Sequence, residues 1–116
     1  MLKFMVTFNY SSASWARMLA VTDDRTAAVA ALLESLGGSL ECMYWEVEDA
    51  AAHVICELPD SLSAAAAITA ATKTGGFRQV QVRELLTQDQ LRSVVLLAKT
   101  TEGSYHPPGA AAVDSC

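Results

Sequence analysis

Residues 2–10, LKFMVTFNY, alternate without a fault: Leu2, Phe4, Val6, Phe8 and Tyr10 are apolar, with Lys3, Met5, Thr7 and Asn9 between them. Successive side chains of a strand point to opposite faces, so this period of two predicts a half-buried strand and is incompatible with a helix. The period returns in FRQVQVREL, 77–85, and AAAHVICEL, 50–58, supplies a further strand with Ala52, Val54, Cys56 and Leu58 in phase. SLECMYWEV, 39–47, makes one more. The chain must therefore build a sheet, and what lies between the strands decides which one.

Between the first two strands Ser11-Ser12 offer N-cap hydroxyls for a helix beginning SWARMLA, and TDDR, 22–25, marks a break or a fresh cap. RTAAVAALLESLGG follows with Val29, Leu32, Leu33 and Leu36 at helical spacing, and Gly37-Gly38 end it. Glu48-Asp49 form a turn between the second and third strands. Pro59-Asp60-Ser61 stop the third strand and cap the helix SLSAAAAITAATKTG, which closes at Gly75-Gly76. After the fourth strand, Thr87 and Gln90 form a capping box for QLRSVVLLAK. The order strand, helix, strand, strand, helix, strand, helix predicts an α+β, ferredoxin-like βαββαβ domain over 1–100 with an added C-terminal helix. Its four-stranded antiparallel-type sheet carries helices on one face only. The segment 101–116, TEGSYHPPGAAAVDSC, has no period and reads as an extended or disordered tail.

Composition narrows the partners. The net charge is −5, and the eight Lys and Arg are scattered rather than clustered. Nucleic acid and anionic membranes, which need grouped cations, are excluded as expected partners. No basic stretch followed by an apolar run opens the chain, and no window reaches the roughly 18 apolar residues of a spanning helix. Cys42, Cys56 and Cys116 are odd in number and include no CxxC, which fits reduced thiols and a cytoplasmic setting. Alanine is the largest part of the 52% apolar share, so the core is thin and a further buried surface in an oligomer is expected.

Several strings resemble one family. FMVTFNY, LLESLGGSLECMYW, LPDSLSAAA and SYHPPG are similar to segments of the GYD-domain proteins, over roughly residues 2–109. The resemblance implies a small bacterial chain related in fold to dimeric α/β barrels, and hence a homodimer or higher homo-oligomer. The family's namesake tripeptide would fall just after Tyr44-Trp45, where this chain reads Glu48-Asp49-Ala50-Ala51. Nothing that depends on the tripeptide is carried over.

Alternation sorts the strands into two faces. Leu2, Phe4, Val6 and Phe8, the third-strand set above, and Val80 and Val82 must meet the helices. The opposite, open face then holds Met5, Thr7 and Asn9; His53, Ile55 and Glu57; and Phe77, Gln79, Gln81 and Arg83. For the second strand the expectation is Glu41, Met43 and Trp45 on the open face, with Tyr44 and Glu46 as the alternative phase. Central strands rarely carry charges, because an unpaired buried charge costs several kcal/mol. His53 and Glu57 on one strand face therefore draw notice. The candidate catalytic residues are His53, Glu57 and Glu41, with Thr7, Asn9, Trp45, Tyr44, Gln81 and Arg83 as substrate-binding residues. An imidazole titrates near neutrality and suits a general acid or base. Arg83 could hold a carboxylate or pair with Glu57 or Glu84, and Trp15 is expected to pack the first helix.

No metal site is expected, for no second His or Cys stands at ligand spacing. GGSL and TGG are helix ends rather than phosphate loops, and GxSxG, HExxH and EF-hand motifs are absent. The expected function is cofactor-independent acid–base catalysis on a small organic substrate, of isomerase, cyclase or hydrolase type, in a cavity on the open face. The alternatives are a non-catalytic ligand-binding, regulatory or assembly module and, by the resemblance to dimeric barrels, a cofactor-free monooxygenase.

Overall fold

In the computed structural model, residues 1–21 and 23–109 are described. The expected order is present: β1 (Leu2–Tyr10), α1 (Ser12–Ala20), α2 (Arg25–Ser35), β2 (Ser39–Glu46), β3 (Ala51–Leu58), α3 (Ser61–Thr72), β4 (Phe77–Leu85) and α4 (Gln88–Lys99). The sheet runs β2-β3-β1-β4 with every neighbouring pair antiparallel, the ferredoxin-like order. The chain divides into two units, Met1–Leu85 with the sheet and α1–α3, and the segment from Leu86 with α4. Of the expected tail, residues 110–116 lie outside the described residues.

Each helix starts where its cap residue dictates. The side chains of Ser11, Asp24, Asp60 and Thr87 accept from the backbone N–H groups of Ser14, Ala27, Ser63 and Gln90. Gln90 also reaches back to the Thr87 N–H at 2.8 Å, completing the capping box. At the end of α2, Gly37 takes φ +82° and donates to Glu34, while Gly38 donates to Leu33. That is the Schellman pair of bonds. Gly38 has a second constraint, since a Cβ there would lie 2.2 Å from the Glu57 carbonyl oxygen. The chain can enter β2 this close to β3 only without a side chain.

The core of the first unit is where β1 and β3 meet the helices. Phe4, Val6, Phe8, Val54, Cys56 and Leu58 are buried against Leu33 of α2 and against Ala64 and Ala71 of α3. Burying a Val, Leu or Phe side chain contributes about 1.5–3 kcal/mol, so two central strands supply most of the driving force. The alanines of α3 add little area but let the helix lie close to the sheet.

Two β-bulges correct the sequence-derived faces. Leu40 stands opposite Cys56 and Cys42 opposite Ile55, so Glu41 is an extra residue in β2. Residues beyond it change face. Tyr44 pairs with His53 and Glu46 with Ala51 on the open face, while Met43 and Trp45 pair with Val54 and Ala52 on the helix side. The expected open-face set Glu41, Met43 and Trp45 is thus reversed for its two apolar members. In β4, Asn9 pairs with Gln79 but Tyr10 with Phe77, leaving Arg78 extra. Phe77 therefore leaves the open face and packs on Phe8 and Tyr10, with ring centroids 5.0 and 4.8 Å apart.

Candidate functional site

On the open face the register aligns one polar row across all four strands: Gln81, Thr7, His53 and Tyr44. Antiparallel pairing sets opposite Cβ atoms about 4.5–5.5 Å apart, close enough for short side chains to bond. Thr7 Oγ1 and His53 Nδ1 are 3.0 Å apart, and His53 Nε2 is 2.7 Å from Glu46 Oε1. A carboxylate only accepts, so a neutral His53 carries its proton on Nε2 and donates it to Glu46. Nδ1 is then left as an acceptor for the Thr7 hydroxyl. The result is a hydroxyl–imidazole–carboxylate chain in which Thr7 is 6% exposed while the His53 and Glu46 side chains remain open to solvent.

The other candidates fall into two further groups. Lys3 Nζ donates to Glu41 Oε1 at 2.7 Å, and Glu57 stands opposite Lys3. The bond from Glu41 and its charge raise the Lys3 pKa, with a smaller push from Glu57. Glu57 lies four residues from His53 along β3, about 13 Å at the usual strand rise. The structure therefore does not bring Glu57 or Glu41 to His53; the carboxylate on the imidazole is Glu46. At the other end, Asn9 Nδ2 donates to Asp49 Oδ2 at 3.0 Å, and Arg78 Nη2 donates to Asp49 Oδ1 at 2.7 Å. The amide nitrogen of Asn9 thus serves to hold the β2–β3 turn.

Gln81 sits beside Thr7 on β4, and Arg83 stands opposite Met5 in the next row. Among the described residues Arg83 makes no ion pair, with Glu57, Glu84 or any other carboxylate. Tyr44 is 68% exposed beside His53. Trp45 is on the opposite side of the sheet, its ring 5.9 Å from Tyr10 and 6.1 Å from Trp15. Trp15 thus packs α1 as expected. The thiol of the fully buried Cys56 is pushed up to about 11 by desolvation and stays protonated. No group of three or more His, Cys, Asp or Glu among the described residues is arranged to hold a metal. No helix among them is long and apolar enough to cross a membrane.

Sequence reasoning singled out His53 and Thr7 but attached the wrong carboxylate. Glu46 was the alternative phase of β2, and only the bulge at Glu41 decides for it. Asp49 was read only as a turn residue and Arg78 was given no role, since regular alternation puts Arg78 in phase with Val80 and Val82 and only the bulge frees it to reach Asp49.

Neither a curated protein nor a solved structure matches the chain. The sequence model of the GYD domain matches residues 4–95, from β1 into α4 and across the whole sheet just described. By that match, which covers most of its length, the chain belongs to the GYD-domain family.

Proposed function

We propose that the open sheet face is a cofactor-independent acid–base site for a small organic substrate, and that a second copy of the chain walls it in. The observation that carries this reading is the Thr7–His53–Glu46 chain. Thr7 Oγ1 takes a proton from a carbon acid as it passes its own to His53 Nδ1. Glu46 stabilises the imidazolium that forms, and the relay, which exchanges with solvent through the exposed imidazole, returns a proton to another atom of the substrate. The step is an isomerisation that balances without oxidant or metal. Gln81 and Tyr44 flank the reacting groups, and the unpaired Arg83 offers a fork for an anionic substituent.

Support for a second copy comes from the apolar groups beside the relay. Met5, Ile55 and Cys42 are only half-buried there, and Tyr44 is exposed. Four concavities of the sheet unit lie on its helix side, and none of these is lined by Thr7, His53 or Glu46. On this reading a second copy supplies the wall over the open face.

The test is deuterium incorporation from solvent into a panel of enolisable ketones and 1,3-dicarbonyl compounds, followed by NMR. A positioned base is worth about 10²–10⁴-fold, so His53→Ala and Thr7→Val should each lose at least about a hundredfold. Glu46→Gln should lose about tenfold or more, with Glu57→Gln within about twofold of the parent. Exchange that survives His53→Ala, or that fails only with Glu57→Gln, would remove the relay from the mechanism.

A further inference from the structure

On the other side of the sheet, two concavities of about 450 and 420 Å³ share a wall of Met18, Val21, Asp23 and Arg25. Each is within the range of small-molecule sites, about 300–1,000 Å³. Trp15 and Trp45 line the first, Tyr10 and Phe77 the second. The four rings form one surface: Tyr10 lies 5.9 Å from both tryptophans and 4.8 Å from Phe77. Packing buries Tyr10, which is 8% exposed, but leaves the two tryptophans partly open. Trp45 keeps 39% exposure, and α1, which carries Trp15, has no buried residue.

The charges above these rings favour one kind of ligand. In a chain of net charge −5, the second concavity has two guanidiniums, Arg17 and Arg25, against one carboxylate, Asp23. Asp23 is already paired with Arg25 at 3.2 Å. Asp24, at the mouth of the first concavity, caps α2. Arg17 donates to Ser14 Oγ at 3.1 Å and makes no ion pair among the described residues. Arg25 also lies against the Tyr10 hydroxyl, where it partly offsets the upward push of burial on that group. Over both concavities two guanidiniums face two carboxylates, and with Arg25 held by Asp23 the fork left open to a ligand anion over the aromatic faces is that of Arg17.

We infer that this trough between α1, α2 and the sheet is a binding site for a planar aromatic carboxylate, with its ring on Trp15 and Trp45 and its carboxylate on Arg17. The site is separate from the Thr7–His53–Glu46 relay and does not depend on it.

The two tryptophans of the chain both line the trough, so their indole N–H resonances report occupancy directly. Three probes with one aromatic body, trans-cinnamate, cinnamyl alcohol and cinnamylamine, are titrated into the full-length protein. Cinnamate should shift both indole resonances and bind about tenfold or more tightly than the alcohol or the amine. Arg17→Met, at an exposed helical position, should weaken cinnamate about tenfold and leave the alcohol unchanged. His53→Ala should bind cinnamate like the parent. Equal affinity for the three probes, indifference to Arg17→Met, loss of binding in His53→Ala, or unmoved indole resonances at millimolar cinnamate would each overturn the assignment.

Discussion

Asp60 shows how much one side chain can decide. Its carboxylate accepts from the Ser63 N–H at 2.8 Å, and that bond is the largest reason its pKa lies below the ordinary 3.8. A depressed native pKa gives stability that is present above the unfolded value and lost as pH falls through the native one. Melting temperature should therefore fall below about pH 4 more steeply for the parent than for Asp60→Asn, whose amide oxygen caps α3 without titrating. Parallel curves for the two proteins would show that the cap does not contribute this way. The cap was legible in the sequence because Pro59-Asp60-Ser61 precedes an apolar run. The partner of His53 was not, because it depends on a side chain seven positions away whose face is set by an irregularity in β2.

At the level of elements, the tight connection from β2 to β3 stores a local cost. Ala50 takes φ +49°, and its carbonyl accepts from the Tyr10 N–H at 2.9 Å, so the turn is pinned where an L-residue is disfavoured. Ala50→Gly should raise stability by about 0.5–1 kcal/mol in denaturant unfolding, the left-handed penalty less the entropy of glycine. A loss of stability would mean that the Ala50 methyl group contributes more than its strain costs. Periodicity and caps together predicted seven elements in order, and the structure divides the first helix into α1 and α2 at the Asp24 cap within TDDR. Periodicity could not predict the bulges at Glu41 and Arg78. Each inserts one residue into a strand without altering its composition, and each reverses the face of what lies beyond it. Trp45 and Phe77 crossed to the helix side for that reason alone, and the aromatic trough was invisible to any reading with regular strands.

At the scale of the sheet unit, α1–α3 lie on one face, and the other is partly apolar and carries the relay. If a second copy covers it, Ile55→Glu, which places a charge beside Met5 and Cys42, should convert the dimer to monomer in light scattering while leaving the fold's circular dichroism intact. A parent protein that is monomeric at all concentrations, or an unchanged dimer in Ile55→Glu, would put the contact elsewhere. The acid–base reading rests on one physical fact beneath all of this, the direction of the His53 hydrogen bonds. It is read most directly from the ¹H–¹⁵N long-range correlation spectrum of the imidazole at pH 8.5. A neutral ring protonated at Nε2, with that preference lost in Glu46→Gln, is the expected result. A ring protonated at Nδ1, or one whose tautomer ignores Glu46→Gln, would contradict it.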